Sequence, residues 1–558
     1  MNPRRSPSAG RWPPAAGALT AVLVVLLYLC VGVFDHEIWA PVEPTVAGIV
    51  WNMADGGGLA VPYVNHEPFV EKPPFYYWLA VLAARAGGGL DAGTLRLPAA
   101  VLGMACLGLL FWIARREWGS RVACGTTLLA ASSVMLWDTA HRAASDVAAN
   151  FFAFLCFALF ARAQGESDTS SPAARRWDLA LAVALGASFF AKNIFTFFLV
   201  LPPVTIALLL RGEWRRWGRL LGTAGAVLVA LLVPWLVAIY LDGGWEPVRI
   251  VVFDNTLGRF LPITEYAPAF TTPMSDALLA EKEPLLFYLP RLLAYPLPWT
   301  PIFLVALVDL VRRRAASSEV ERFLLIGVVT LPVALSASAA KSTDYLVPIV
   351  FFDLLIVGRF LAEVLVGGRR LATWERVLVV GNVIVALVLL AVFPIVLVGV
   401  FGGVATLLLA PPAAWLAWRL FTRLREGPVD ARWVFDFGAT AVLAATIGLA
   451  IAIPHVDEQK SYRPFFDEAR ARAEGRTLVT TYREISRLPM MNFYLGSRLH
   501  VLGDFDPLIG LLRSSEPIAA FVRCRTYDEH RVELEGARLL REPERGSMCL
   551  LTNPLRAG

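Results

Sequence analysis

An acid and a base stand side by side ahead of two prolines in Val70-Glu71-Lys72-Pro73-Pro74-Phe75-Tyr76-Tyr77-Trp78. Prolines block a helix before them and favour helix entry after them, which puts the charged pair at a helix start, where backbone donors also favour an anion. Lys72 suits a phosphate oxygen, and Glu71 either orients Lys72 or holds a cation; the plainer reading is a surface ion pair capping a helix. Glu43 lies in Trp39-Ala40-Pro41-Val42-Glu43-Pro44. A carboxylate in a partly desolvated pocket serves as general base for a hydroxyl. The alternative is an N-cap or a solvated loop acid, and Asp35 and Glu37 compete for the same role. Arg142 and Asp146 are spaced i,i+4, which fits either a salt bridge on one helical face or Asp146 as a second carboxylate facing a cavity near Glu43. Lys341 and Tyr345 share that spacing, although a lone lysine there also fits snorkelling to an interface. Arg259, in Asp254-Asn255-Thr256-Leu257-Gly258-Arg259-Phe260, suits a bidentate phosphate contact, and Lys192 adds a further cation. Several cations with at least two carboxylates are what a phosphate-bearing substrate and a base require.

The elements that must position these residues are set by the solvent. The chain has 558 residues, 57% hydrophobic and 17% charged. Soluble domains run about 45–50% apolar and about 25% charged, so this composition belongs to a bilayer, and it excludes disorder. A net charge of +5 is too small an excess to indicate nucleic acid. A spanning helix needs about 20 apolar residues, and about thirteen such runs follow one another from 14–34 to 434–453. Among them are 95–114, 121–138, 145–162, the tight pair 178–191 and 194–210, 220–240, 285–311, 323–339, 345–363, 376–399 and 403–420. Arginines cluster in every second connection, at 115–121, 175–176, 211–219, 312–314, 369–376 and 419–432. Short cytoplasmic loops carry such excess, which predicts a cytoplasmic N-terminus and an outward-facing tail. The acids and the dispersed cations then gather on the outer side, in the first loop 35–94, around 141–146, in the loop 241–284 and in the turn 340–345. Charged groups at the edge of a bundle are costly to desolvate and so are paired or functional.

Two stretches of the first loop, 43–54 and 75–86, carry apolar stripes too short to span, which predicts helices lying in the interface. The tail, 454–558, reads as a small α/β domain beyond a transmembrane domain of 1–453. Short strand-like runs at 478–481, 499–502, 517–522 and 548–551 alternate with helical patterns at about 463–474, 484–495 and 505–514. Cys30, Cys106, Cys124 and Cys156 lie in apolar runs and read as small hydrophobes; Cys524 and Cys549 lie in the tail, where an oxidising compartment permits a disulfide.

In this order, the set resembles a known family. The early acid at Pro41-Val42-Glu43-Pro44 is followed by Glu71-Lys72-Pro73-Pro74-Phe75-Tyr76-Tyr77-Trp78, then Arg142-Ala143-Ala144-Ser145-Asp146 and Lys192. Arg259-Phe260 precedes Glu281-Lys282-Glu283-Pro284 and Leu297-Pro298-Trp299, and Lys341 precedes Tyr345-Leu346-Val347-Pro348. This pattern is similar to the GT-C membrane glycosyltransferases of the aminoarabinose lipid A transferase and protein O-mannosyltransferase group. It covers about residues 14–350 by motif and the remainder by layout. The family pattern has an acidic pair followed by Arg-Tyr-Ala, whereas this chain has Val42-Glu43-Pro44-Thr45-Val46-Ala47; Asn193-Ile194 stand where Gly-Pro commonly follows the lysine.

The resemblance implies a polytopic α-helical GT-C membrane protein of about 13 transmembrane helices with a small periplasmic α/β domain. It would move a sugar from an undecaprenyl- or other polyprenyl-phosphate carrier to lipid A, another envelope glycan or a protein, on the periplasmic face of the bacterial inner membrane and with inversion. Glu43 and Asp146 are then the catalytic acids. Lys72, Arg259, Lys341, Tyr345 and Lys192 would hold the carrier phosphate, with Glu71 and Arg142 in support. Glu71 and Glu281 match positions that join around a divalent metal ion in related transferases. A transporter or flippase for an anionic lipid is the rival reading, but it places ionisable groups near the bilayer midplane, and here they cluster at the outer ends of the spans. A non-catalytic scaffold leaves the gathered charges unexplained.

Overall fold

A computed structural model describes residues 15–166, 168, 170–257, 284–294, 299–338, 341–401, 410–426, 431–542 and 547–553. Each apolar run read from the sequence falls on helix among these residues, and seven helices are long and apolar enough to cross a membrane. α1 (Ala15–Leu29) leads into the first loop, which holds α2 (Glu43–Ala54), a hairpin of β1 (Tyr63–Val64) and β2 (Glu67–Pro68), and α3 (Phe75–Gly87). α4 (Ala92–Trp118) begins with a capping box in which the Asp91 carboxylate accepts from the Thr94 amide while the Thr94 hydroxyl accepts from the Asp91 amide. α5 (Ser120–Ala131) and α6 (Val134–Ala140) split the run 121–138 at Ser132-Ser133, and α7 (Ser145–Gln164) follows.

The tight pair of spans is real and has a joint. α8 (Pro172–Ala187) is followed by the single turn α9 (Phe189–Lys192) and by α10 (Phe195–Leu210). Asn193 between them has φ 52°, in the left-handed region that asparagine tolerates better than most side chains. α11 (Trp214–Gly243) is long and apolar. The run 285–311, by contrast, is not one helix. Tyr288–Ala294 and Thr300–Arg312 are separate, with a proline at the start of the second. Helices Glu319–Ala337, Ile349–Leu365, Thr373–Phe401, Ala410–Glu426 and Ala431–Lys460 complete the bundle.

At the arginine-rich end the bundle is bolted by charge. Buried Arg359 bonds Asp309, Glu321 and Glu363, Arg313 reaches Asp309 and Glu363, and Arg369 reaches Asp309 and Glu375. Arg216 fastens α11 to Asp178 of α8.

Helix Ala431–Lys460 carries the chain past residue 453 into the tail, whose sheet has the order β4-β3-β5-β7-β6. β3 (Thr477–Thr481) is parallel to β4 (His500–Leu502) and to β5 (Ile518–Arg523). β7 (Met548–Thr552) is antiparallel to β5 and to β6 (Arg538–Arg541). Cys524 and Cys549 form a disulfide with Cα atoms 5.0 Å apart. The helical patterns expected near 463–474, 484–495 and 505–514 appear as Arg463–Ala473, Tyr482–Leu495 (a 3-10 turn running into an α-helix) and Asp506–Arg513. β6 and the short helix Cys524–Glu529 were not evident from sequence.

α2 corrects one expectation. Its apolar residues, Val46 to Val50 and Met53, are buried, and it packs on the tail helix Leu488–Leu495 instead of presenting them to a lipid interface. Gly48 makes the approach possible, because a Cβ there would lie 2.5 Å from the Pro489 Cα. A polar seam completes the joint. Asn65 accepts from the Leu499 amide (3.0 Å) and donates to its carbonyl (3.0 Å), Asn492 donates to Asn65 (3.2 Å), and Arg463 pairs with Glu37. Gly48→Val should therefore loosen the tail from the first loop. Overpacking of this kind costs about 1–3 kcal/mol, to be read as a lowered unfolding temperature together with faster proteolysis between Lys460 and the sheet.

Candidate active site

The helix that follows Lys72, α3, starts after Pro73-Pro74 and is capped by Gly88, whose φ of 82° supplies the left-handed cap that a Cβ would resist. Tyr76, fully buried, donates from its hydroxyl to the Leu95 carbonyl (2.9 Å) and fixes α3 against α4. At the base of the loop the Asn193 side chain donates from Nδ2 to the Glu71 carbonyl (2.8 Å), so the joint between α9 and α10 is tied to the segment carrying Glu71 and Lys72. That joint delivers Lys192, which is buried. Its ammonium bonds the Asp146 carboxylate from the first turn of α7 and lies over the rings of Tyr345 (4.6 Å) and Phe195 (4.8 Å). The Phe195 and Tyr345 ring centroids are 4.3 Å apart. The charges of Lys72 and Arg142 also act on Asp146, and those of Glu71 and Asp146 act on Tyr77, whose buried phenol is pushed upward by burial first and by those two acids second. Glu71, Lys72, Asp146, Lys192 and Tyr345 thus converge from four distant stretches of sequence.

The turn carrying Lys341 and Tyr345 is held from two sides. Lys341 donates to the Ser338 carbonyl (2.8 Å) at the end of helix Glu319–Ala337. Tyr288, fully buried, takes the Ser342 amide on its hydroxyl oxygen (3.2 Å) and donates to the Ser342 carbonyl (3.1 Å). Arg142 bonds Asp344 (3.0 Å) and Asp138 (2.6 Å). The i,i+4 pairing of Arg142 with Asp146 anticipated from spacing is therefore absent. Arg142 fastens the Tyr345 turn, and the salt-bridge partner of Asp146 is Lys192.

Glu43 departs furthest from expectation. It is 3% exposed and faces Arg96, which is fully buried in α4. Arg96 donates from Nε to Oε1 and from Nη2 to Oε2, both at 2.7 Å. The Ala143 amide adds a bond to Oε1 (3.0 Å) and the Trp39 amide one to Oε2 (2.8 Å). Arg96 also donates to the carbonyls of His36 (2.7 Å) and Glu37. A carboxylate has about four lone-pair sites, and all four are taken. Burial pushes the Glu43 carboxyl up, but the Arg96 charge, its hydrogen bonds and the two amides outweigh that and leave it below the usual range. Such a group is a poor proton acceptor and a good clamp. Arg96 and Tyr288 are the site-supporting residues that sequence reading missed. Arg96 had a signal, as an isolated charge in an apolar run, whereas Tyr288 had none.

Arg259 and Glu281 lie outside the described residues. Among those described, no three His, Cys, Asp or Glu side chains converge as a metal site would require, and of the expected metal pair only Glu71 is in view.

A helical bundle with cations and carboxylates paired at one end, plus a small sheet domain seated on its first loop, is the architecture of a polytopic GT-C glycosyltransferase. Residues 71–240 match the family described as dolichyl-phosphate-mannose-protein mannosyltransferase. The undecaprenyl phosphate-alpha-4-amino-4-deoxy-L-arabinose arabinosyl transferase of Pseudomonas aeruginosa (strain PAO1) is 30% identical over 423 residues, which span 73% of this chain and 72% of that one. A Pseudomonas fluorescens (strain Pf0-1) relative of the same description is 28% identical over 63% of this chain and 60% of its own length. In fold, ArnT from Cupriavidus metallidurans, solved with undecaprenyl phosphate, superposes with a TM-score of 0.77 at 19% identity, covering 98% of this chain and 100% of that one. The Archaeoglobus fulgidus oligosaccharyltransferase superposes with a TM-score of 0.51 at 10% identity, over 99% of this chain and 76% of its own. The chain belongs to the aminoarabinose transferase family of GT-C enzymes.

Arg96→Met strands a buried carboxylate and should cost about 3–5 kcal/mol, whereas Glu43→Gln with Arg96→Met should recover part of that loss, as read by thermal unfolding. The pair also predicts a pH dependence. Because the folded carboxyl titrates below its unfolded range, its stabilisation is complete above about pH 5 and is lost as pH falls through the unfolded value of about 4.3 toward the lower folded one. Glu43→Gln should flatten the acid side of the stability profile and leave its slope near pH 7 unchanged.

Proposed function

We propose that this enzyme transfers a sugar from a polyprenyl-phosphate-linked donor to an acceptor at the periplasmic face of the bacterial inner membrane, with inversion at the anomeric carbon. The arginines clustered in every second connection support this orientation, with the N-terminus cytoplasmic and the charged cluster and tail periplasmic. The relatives' name, undecaprenyl phosphate-alpha-4-amino-4-deoxy-L-arabinose arabinosyl transferase, makes that aminoarabinose carrier the first donor to test. The convergence of Lys72, Lys192 and Tyr345 around Asp146 is the observation that carries this reading.

In this mechanism the carrier phosphate rests against Lys72 and the Lys192–Tyr345 pair, with Lys341 and Arg259 completing its shell. As the C1–O bond to phosphate breaks, negative charge grows on the leaving oxygen, and cations already fixed in place stabilise it without reorganising. The acceptor oxygen attacks C1 from the opposite face. Its proton passes to Asp146, and the polyprenyl phosphate leaves with the bonding pair. Asp146 takes the role of base because, among the described residues, its carboxylate accepts a side-chain bond from Lys192 alone and keeps Oδ2 for the acceptor, whereas all four sites of Glu43 are taken; Glu43 acts by holding Ala143, three residues before Asp146. A divalent cation held by Glu71 with Glu281 would add positive charge beside the same phosphate.

In proteoliposomes containing undecaprenyl phosphate-alpha-4-amino-4-deoxy-L-arabinose and an envelope lipid extract, the protein should release undecaprenyl phosphate. Asp146→Asn should lower kcat by about 10²–10⁴ with little change in donor KM, and Lys72→Ala should raise donor KM as well. Near-normal turnover of Asp146→Asn would remove Asp146 from the scheme.

A further inference from the structure

Asn150 lies in α7, a helix long and apolar enough to cross a membrane, and is 3% exposed. Its Nδ2 has no hydrogen-bond partner among the described residues. An amide taken out of water without a partner is costly, and within a span no solvent stands in for one. We propose that Asn150 is a specificity-determining residue for the donor, its carboxamide bonding a ring hydroxyl of the sugar to be transferred. This rests on the donor reading above and extends it from the carrier phosphate to the sugar.

Helix geometry sets where that amide sits. Residues four apart lie on one face of a helix, so Asp146, Asn150 and Phe154 form a column along α7, with steps of about 6 Å at 1.5 Å per residue. Its upper and lower members meet the same strip of the bundle. Asp146 bonds Lys192, whose ammonium lies 4.6 Å from the centre of the Tyr345 ring. Phe154 meets Phe351, six residues beyond Tyr345, with ring centroids 5.5 Å apart. Asn150 is therefore bracketed, with the charged layer one turn before it and an aromatic layer one turn after it. A second orphan flanks the charged layer. Asn193, 4% exposed, directly follows Lys192 and spends its Nδ2 on the Glu71 carbonyl. Its Oδ1 is buried and has no partner among the described residues.

The chemistry of the donor decides which part of it meets Asn150. The phosphate is matched by the cations Lys72 and Lys192. The polyprenyl chain carries no hydrogen-bonding group and would leave the amide as unpaired as before. The sugar, joined to the phosphate through C1, is the part that carries hydroxyls within a helical turn of the charged layer. A hydroxyl both donates and accepts, as a carboxamide does, so either end of the Asn150 amide can engage it. The rings of Phe195 and Tyr345, 4.3 Å apart, offer apolar faces to the sugar carbons in the same layer. A site built to hydrogen-bond a hydroxyl rejects the analogue that lacks it, because the buried polar group is then left unpaired.

The test uses the full-length protein in lipid nanodiscs, wild type and Asn150→Leu, the leucine keeping the branching and heavy-atom count of asparagine. The probes are undecaprenyl phosphate-alpha-4-amino-4-deoxy-L-arabinose, its 2-deoxy and 3-deoxy analogues, and undecaprenyl phosphate, each titrated to a Kd. Wild type should bind one of the two deoxy analogues about tenfold more weakly than the full donor, as expected for one buried hydrogen bond. Asn150→Leu should bind that analogue and the full donor equally. Its affinity for undecaprenyl phosphate, which has no sugar, should match that of wild type and so report an intact fold. Equal binding of the donor and both analogues by wild type, the same discrimination in Asn150→Leu as in wild type, or a loss of undecaprenyl phosphate affinity in Asn150→Leu would overturn the proposal. Failure of the wild type to bind undecaprenyl phosphate or the full donor would instead overturn the donor reading, so the two failures are distinct.

Discussion

The buried contact between Arg96 and Glu43 is the interaction on which the half of this enzyme that carries the first loop depends. Neither group is solvated, and each is tolerated only because the other satisfies it with parallel hydrogen bonds. The remaining capacity of both is spent on backbone from three further places: the carbonyls of His36 and Glu37, the amide of Trp39 and the amide of Ala143. One ion pair thereby joins the start of the first loop, the start of α4 and the turn before α7. That last turn leads into the first turn of α7, which carries Asp146. The elements it joins share a hydrophobic cluster that runs from Val46 and Tyr76 through Leu95, Ala143 and Val147 to the tail, and the desolvated, fully bonded charge pair within it adds to non-directional packing a single permitted geometry.

The charges nearest the proposed chemistry follow a different rule. Lys192 and Asp146 neutralise each other but remain polarised by neighbours, with aromatic faces on one side and the Lys72 charge on the other. Arg142 is shared between Asp138 and Asp344, so the Tyr345 turn is positioned by a salt bridge that bridges separate helices. Charge is thus held in two grades: closed where it only positions, and clustered with aromatic rings where the proposed phosphate would be met.

Much of this was legible in the chain, and what was not has a physical cause. Apolar runs gave the helices because a bilayer imposes a length that sequence displays directly, and the tail strands appeared as short β-branched and apolar runs. β6 escaped because Arg538 and Arg541 flank only two leucines at a sheet edge. Of the residues singled out from sequence, Glu71, Lys72, Asp146, Lys192 and Tyr345 come together in the fold, but their pairing could not be read locally. Local spacing matched Arg142 with Asp146, and the fold matched Arg142 with Asp344, 202 residues away. No pattern within a helix can report such a partner. Glu43 read as a base because its partner, Arg96, was counted as part of a spanning run, although a lone arginine in an apolar run is itself a sign of a buried counter-charge.

The tail acquires a reason from the same logic. Helix Ala431–Lys460 ends with Asp457 accepting from the Glu37 amide (3.0 Å) and the Trp39 indole (2.8 Å), and Lys460 lies over the Trp39 ring. These are the residues whose backbones bond Arg96 and Glu43. From the other side α2, which begins at Glu43, is covered by tail helix Leu488–Leu495. The tail holds none of the clustered charges, yet it grips both flanks of the segment that carries the buried pair. At the arginine-rich end of the bundle the helices are bolted directly to one another by Arg359 and its acids. At the site end the ion pairs Arg96–Glu43, Lys192–Asp146 and Arg142–Asp344 likewise cross between elements, but they lie among loops, short turns and helix starts. Fastening the first loop with a folded domain on its flank orders that segment without adding a side chain to the charged cluster.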